Sequence, residues 1–288
     1  MAKLYKLLAK KFTTPRDINA KYNIIIKNII YMKVVILAGG KGTRISEESI
    51  NRPKPLIEIG SKPIIWHIMK HYSHFGLNDF IICCGYKGYL LKEYFVNYYM
   101  HNSDLTIDLK TNNLEIKKIN SEPWKITLVD TGDNTMTGGR ILKIKNILKK
   151  EKNFCLTYGD GVSNISIKKL IDFHKKNKKL ATITVVKPQG RYGMIDLNKN
   201  NLVEKFAEKP DGDGSWVNGG FFVFNYGIFN FLKKDSDILE QGPIQKISKK
   251  KQLAAYKHLG FWKAMDTLND KNYLEDLWSK SKCPWKIW

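Results

Sequence analysis

Arginine is scarce in this chain. Of 49 basic residues among 288, only five are arginine (Arg16, Arg44, Arg52, Arg140 and Arg191), against 27 acids and a formal charge of +22. A nucleic-acid surface wants basic residues clustered on one element with aromatics between them. Here the lysines are scattered, so nucleic acid is not an expected partner, and a solvated surface with a small anionic substrate fits better. Long apolar runs are missing as well. The Ile-rich patch at 24–30 is broken by Lys27 and Asn28, whereas a membrane span needs about 20 apolar residues. No small-residue cleavage site follows it, so neither a span nor a signal peptide is expected. Cysteine is sparse: Cys83, Cys84, Cys155 and Cys283 have no zinc-type spacing, and free thiols in a reducing cytoplasm are the expectation.

The length suits one large domain with a real core, and strand-like segments alternating with helix-like ones argue an α/β fold. The first 31 residues stand apart, with seven Lys/Arg against the single acid Asp17, and end just before Met32. They are expected to be a dispensable basic extension, with 32–288 forming one domain. There the pattern predicts strands at Lys33–Leu37, Pro55–Ile59, Asp79–Cys84, Phe154–Tyr158, 180–186 and 252–258. Helices are predicted at 62–75, Lys87–Tyr99, 166–176, near 226–234 and 240–249, and at 267–279. In the first, Ile64, Ile68, Tyr72 and Phe75 share one stripe, with Ser61 as N-cap and Gly76 as stop. Such βα units imply a Rossmann-like, mixed but mainly parallel sheet flanked by helices. Between about 190 and 260, short strands and glycine turns (Asp211-Gly-Asp-Gly214, Asn218-Gly-Gly220) suggest a partly antiparallel layer on the substrate side.

Val34–Leu37 runs into Ala38-Gly-Gly-Lys-Gly-Thr-Arg44, and Arg52-Pro-Lys54-Pro55 follows closely. Glycines let backbone amides approach a phosphate, and a cation on each side of a reacting phosphate would stabilise charge developing there. Spacing excludes two commoner phosphate loops. The dinucleotide fingerprint needs a third glycine where Ile45 stands, and a Walker loop needs Gly-Lys-Ser/Thr. Asp160, within Gly159-Asp-Gly161, follows an apolar strand and so falls at a carboxyl end, where α/β sheets hold ligands. Asp266 follows another apolar stretch. Two carboxylates converging on one crevice suit Mg²⁺, with phosphate oxygens and water completing the octahedron. Taken alone, the two aspartates also read as a turn residue and as an N-cap for helix 267–279.

These motifs resemble those of the sugar-phosphate nucleotidyltransferases. Leu37-Ala-Gly-Gly-Lys-Gly-Thr-Arg44 with Pro53-Lys54-Pro55 is similar to their signature, and the likeness runs from Met32 to the C-terminus. Val129-Asp-Thr-Gly-Asp133, Met136-Thr-Gly-Gly-Arg140 and Met265-Asp-Thr267 point to the cytidylyl branch. The resemblance implies the nucleotide-diphospho-sugar transferase fold and a Mg²⁺-dependent transfer from CTP to glucose 1-phosphate, giving CDP-glucose and pyrophosphate. It also implies a cytoplasmic homo-oligomer at the head of CDP-linked deoxysugar synthesis for surface polysaccharide. Arg44 and Lys54 carry over as catalytic. Leu37, Ala38, Gly39, Gly40, Lys41, Gly42, Thr43, Thr135 and Arg140 carry over as nucleotide contacts, and Asp160 and Asp266 as Mg²⁺ ligands. Glu208, Lys209, Asn218 and Gly219 carry over as sugar-phosphate contacts. Without the resemblance, Thr135 is a turn hydroxyl, Arg140 a surface cation at a helix end, Glu208-Lys209 a surface turn and Asn218-Gly219 a hairpin turn. On residues alone the base stays open among cytosine, thymine and uracil. A non-catalytic nucleotide-sugar sensor would be expected to lack one of Arg44, Lys54, Asp160 or Asp266; all four are here.

Two further groups are expected to be structural. His67, His71 and His74 share a helix face without an accompanying glutamate, and are expected on the solvated side opposite the Ile64/Ile68/Tyr72 stripe. Trp262, Trp278, Trp285 and Trp288 are expected to pack against protein and not to stack on a base.

Overall fold

The computed structural model describes residues 32–119, 121–188, 194–197, 199–207 and 215–288. The basic extension 1–31, Glu208, Lys209 and the Asp211–Gly214 turn lie outside them. In chain order the strands are β1 (Val34–Ala38), β2 (Glu58–Ile59), β3 (Lys62–Pro63), β4 (Asp79–Cys84), β5 (Ser103–Asp108), β6 (Asn113–Ile119), β7 (Lys125–Asp130), β8 (Asn153–Tyr158), β9 (Gly161–Ser163), β10 (Ala181–Val186), β11 (Met194–Leu197), β12 (Val203–Ala207), β13 (Val217–Asn225), β14 (Leu253–Lys257) and β15 (Trp262–Ala264). The longer helices are α1 (Ile64–His74), α2 (Gly88–His101), α3 (Thr137–Lys143), α4 (Ile167–Asn177), α5 (Pro243–Lys249) and α6 (Leu268–Ser279).

Seven strands form the central sheet in the order β14-β10-β13-β8-β1-β4-β7. β1 pairs in parallel with β4 and β8, β4 with β7, and β10 with β14, while β13 runs antiparallel to both β8 and β10. The mixed, mainly parallel α/β sheet expected from the sequence is therefore present. Its centre is buried on both faces, as parallel strands require. Val34 and Ile36 of β1 pack with Ile64, Ile68 and Tyr72 of α1. Val35 and Leu37, pointing the other way, pack with Ile81, Ile141, Phe222 and Phe224. Each such side chain contributes about 1.5–3 kcal/mol by leaving water.

Several local expectations fail for identifiable reasons. Pro55–Ile59 is not one strand: Pro53 and Pro55 offer no N–H, so Lys54–Leu56 forms a 3₁₀ turn and only Glu58–Ile59 is extended. Ser61 does not cap α1. With Gly60 it forms the left-handed two-residue turn between β2 and β3 (φ 59° and 61°), and Pro63 precedes the helix instead. Asn218-Gly219 is not a hairpin turn but the start of β13, fixed by pairing with β10 and β8. Of the partly antiparallel region expected at 190–260, β11 and β12 form an antiparallel pair of their own, whereas β13 and β14 belong to the central sheet, β13 running antiparallel to its neighbours. Residues 103–119, for which no element is predicted above, form the β5–β6 hairpin.

The histidine expectation is corrected too. His67 and His71 are buried, and only His74 is exposed. The reason is the C-terminal tail: Trp278, Trp285 and Trp288 pack their rings around His67, and Phe75 and Phe221 flank His71. Helix α1 is thus covered on a second face by a segment some two hundred residues away, which its own periodicity cannot report. Burial holds both imidazoles neutral, with pKa values lowered to about 4. The tryptophan expectation holds for Trp285, which is buried in this core.

Candidate active site

Because β1, β4, β7 and β8 are parallel and in close register, their carboxyl ends (Ala38, Cys84, Asp130 and Tyr158) open on one edge of the sheet. β13 runs the other way, so its first residues reach that edge, with Asn218 opposite Val185. A cavity of about 320 Å³ lies there, lined by Leu37, Ala38, Gly39, Gly40, Gly42, Thr43, Arg44, Lys54, Thr135, Arg140 and Asp160, together with Met136, Thr137 and Tyr158. Nearly all the predicted nucleotide contacts therefore share one wall. Lys41 is exposed on the loop and is not part of it.

The glycine loop curls tightly over Lys54. Gly42 sits at φ 66°, and a Cβ there would stand 3.2 Å from the Cβ of Ser49 and 3.3 Å from that of Lys54. Ser49 Oγ donates to the Gly42 carbonyl at 3.0 Å and fixes the curl.

Behind the loop, Arg140 lines the cavity but departs from the surface reading made of it. It is no surface cation, being only 4% exposed, and its donors are turned to protein oxygens. The guanidinium donates to the carbonyls of Gly39 (2.9 Å), Gly132 (2.8 Å), Cys84 (3.1 Å) and Asp133 (3.3 Å), and to the Thr131 hydroxyl (2.6 Å). These acceptors lie at the ends of β1, β4 and β7, so one side chain ties three strand ends together. A Cβ at Gly39 or Gly85 would fall 2.2 or 2.4 Å from the guanidinium, which explains both glycines. Burial lowers the Arg140 pKa, yet arginine starts so high that it stays charged at neutral pH.

Four residues placed far apart in the sequence meet beside this loop. Lys54 Nζ donates to Asp160 Oδ2 at 2.7 Å and to Asp266 Oδ1 at 2.8 Å, and Arg44 Nη1 donates to Asp266 Oδ2 at 3.0 Å. The scaffold is the β9–β15 pair: Gly161 opposes Ala264, and Met265 N–H donates to the Asp160 carbonyl at 2.8 Å. Asp266 is not the helix cap its position suggested. Thr267 caps α6 in a capping box with Asp270, so the Asp266 carboxylate is turned to Lys54 and Arg44. Burial alone would lower the Lys54 pKa, but the charges of Asp160 and Asp266 and the hydrogen bonds to them outweigh it and hold it above its ordinary value. The Arg44 side chain is 69% exposed, so its ion pair is weak and screened, and the guanidinium can leave for another anion.

The two cations and two carboxylates of this cluster cancel. A triphosphate entering it therefore calls for added positive charge. The donor set fits Mg²⁺, because one ammonium nitrogen already touches an oxygen of each carboxylate, so both reach a single cation position. Among the described residues no group of three or more His, Cys, Asp or Glu forms a cage. Mg²⁺ does not need one, since it binds through one or two carboxylates plus substrate phosphates and water.

A family profile described as nucleotidyl transferase matches residues 33–275. A glucose-1-phosphate cytidylyltransferase of Salmonella typhimurium is 53% identical over 257 residues, covering 89% of this chain and all of that protein. The chain belongs to the glucose-1-phosphate cytidylyltransferase family. Its other relatives include a mannose-1-phosphate guanyltransferase of Saccharomyces cerevisiae, 27% identical over 84% of this chain and 63% of that protein. The fold matches a crystal structure of UDP-glucose pyrophosphorylase complexed with UDP-glucose (TM-score 0.62, 17% identity), covering 88% of this chain and all of that one. The fold is thus that of the nucleotide-diphospho-sugar transferases.

Of the four residues expected on the sugar side, Asn218 and Gly219 are among the described residues. Asn218 is half-buried at the cavity edge, where its amide nitrogen donates to the Tyr158 hydroxyl at 3.1 Å. Gly219 is buried, and its carbonyl accepts from Trp262 Nε1 at 2.7 Å. Sequence reasoning missed Tyr158, Thr137 and Glu240. Thr137 stands within the singled-out Met136–Arg140 stretch and Tyr158 directly precedes Gly159-Asp-Gly161, so both could have been found there. Glu240 carries no local signal at all.

Proposed function

We propose that the chain converts CTP and α-D-glucose 1-phosphate into CDP-glucose and pyrophosphate. The observation that carries this reading is the convergence of Lys54, Asp160 and Asp266 beside the glycine loop, in a chain 53% identical to a glucose-1-phosphate cytidylyltransferase. A phosphate oxygen of glucose 1-phosphate attacks the α-phosphorus in line. A new P–O bond forms, the α–β bond breaks, and its electron pair leaves on pyrophosphate. Both reactants already carry the reacting groups, so no covalent enzyme intermediate is needed, and the protein supplies alignment and charge. The loop amides of Gly39–Gly42 and Arg44 hold the β- and γ-phosphates. Lys54 turns from its carboxylates toward the α-phosphate, and by resemblance alone Lys209 is assigned to the phosphate of glucose 1-phosphate and Glu208 to its sugar hydroxyls. Asp160 and Asp266 would hold Mg²⁺, which when bound neutralises charge at the α-phosphate.

Pyrophosphate release measured with glucose 1-phosphate and each of CTP, dTTP and UTP tests the base. CTP is expected to support at least tenfold higher kcat/KM than either alternative, and equal use of dTTP or UTP would sink the cytidylyl assignment. The reading also includes a cytoplasmic homo-oligomer. Four free cysteines support the compartment, and exposed apolar residues on α2 and the β5–β6 hairpin (Val96, Ile107 and Leu109) support self-association. Sedimentation as a monomer at micromolar concentration would contradict the assembly.

A further inference from the structure

One carboxylate at the cavity edge has no part in the reaction above. Glu240 lies in the turn ahead of α5. Its Oε2 accepts from the Thr137 hydroxyl at 2.8 Å, and its Oε1 accepts from the Tyr158 hydroxyl at 2.5 Å. The Tyr158 oxygen in turn accepts from Asn218 Nδ2 at 3.1 Å, while Asn218 Oδ1 accepts from the Gly220 N–H at 2.9 Å. Thr137 and Tyr158 both line the cavity.

Hydrogen-bond polarity makes this a directed chain. A carboxylate only accepts, so the phenol must donate to it, and the phenol oxygen is then left to accept from the amide. Burial, followed by the charge of Glu240, raises the Tyr158 pKa, so the phenol keeps its proton. Asn218 is therefore held with its nitrogen end toward Tyr158 and its oxygen toward Gly220. One amide N–H is used on Tyr158, and the other has no protein partner among the described residues. An N–H of this kind suits a phosphate or hydroxyl oxygen. Flipped, the same amide would present a carbonyl, which repels both a phosphate and a carboxylate.

We infer that Glu240 is a positioning residue that sets the orientation of the Asn218 amide through Tyr158, and through Thr137 ties that setting to the first residue of α3. The inference rests on the reading of Asn218 as a sugar-phosphate contact.

Glu240→Ala and Tyr158→Phe are each expected to raise KM for glucose 1-phosphate about tenfold, leaving KM for CTP within about twofold. The double variant is expected to be no worse than either single one. Glu240→Gln keeps an acceptor for the phenol and is expected to stay within about threefold of the unaltered enzyme. A KM for glucose 1-phosphate that does not move, or that rises only alongside the KM for CTP, would overturn the inference. The Asn218 side-chain amide pair, followed by ¹⁵N NMR without substrate, reads the chain independently. Both variants are expected to shift it, and an unmoved pair in both would also overturn the inference. If the unaltered enzyme released no pyrophosphate from CTP and glucose 1-phosphate, the proposed function would fail, while the NMR measurement would still judge Glu240.

Discussion

Two polar clusters are built around the same short strand, β9, and they end in opposite electrostatic states. Asp160 leads into β9 and meets Lys54, Asp266 and Arg44. Ser163, at the other end of the strand, meets His258, and α1 packs against β9 with His67 and His71 inside. Lys54 is nearly as buried as the histidines, yet its pKa is raised and theirs are lowered. Depth of burial does not decide the outcome. Lys54 has two carboxylates within hydrogen-bond reach, whereas the histidines are surrounded by aromatic rings, and the one carbonyl at 2.9 Å from His67 Nε2, that of Ile59, does not offset burial. A buried charge survives only where opposite charge or hydrogen bonds replace lost water. Chemistry-bearing residue types therefore mark a reactive site only where that compensation is present.

The contrast breaks most sharply at the charged cluster. Lys54→Ala and Asp160→Asn are each expected to lower turnover at least a hundredfold, equivalent to about 3 kcal/mol of barrier, by analogy with a lost oxyanion donor. Circular dichroism should show the fold retained, and near-normal CDP-glucose synthesis by either variant would sink the assignment. Arg140 sharpens the comparison as a buried cation whose hydrogen bonds all go to neutral oxygens. Arg140→Lys leaves several buried acceptors unsatisfied, each costing about 1–3 kcal/mol. It is expected to raise KM for CTP about tenfold and to lower the melting temperature. An unchanged KM would mean that the strand ends need no tie.

The histidine side is expected to matter for stability and not for turnover. The folded-state pKa values of His67 and His71 lie near 4, below the ordinary 6.5, so the unfolded chain takes up protons first. Their contribution is complete above pH 6.5 and is lost as pH falls toward 4, at roughly 3 kcal/mol for each histidine. His71→Phe should remove one proton from the pH dependence of unfolding, with turnover staying within about twofold. Urea unfolding at pH 7 and pH 5 checks the slope, and an unaltered slope would contradict the assigned protonation state.

Much of this was legible from short-range patterns. Asp79–Cys84 is a strand with the predicted bounds, and Ser166 caps α4 close to where helix 166–176 was expected. The four-residue ionic cluster was legible through chemistry and resemblance together, since Arg44, Lys54, Asp160 and Asp266 each have an ordinary surface reading when taken alone. What was not legible depends on distant partners. The buried state of His67 depends on Trp278 and Trp285. Asn218-Gly219 has turn composition, but its place in the sheet is set by neighbouring strands. Arg140 looks exposed until three strand ends close around it. Glu240 stands 82 residues from Tyr158, and nothing near it in the chain announces the contact.

Pyrophosphate release from CTP and glucose 1-phosphate by Lys54→Ala and His71→Phe, run side by side at saturating substrate, tests the division between the two clusters most directly. The prediction is a loss of at least a hundredfold for Lys54→Ala, beside turnover within twofold of the unaltered enzyme for His71→Phe. Comparable losses in both variants, or near-normal turnover by Lys54→Ala, would contradict it.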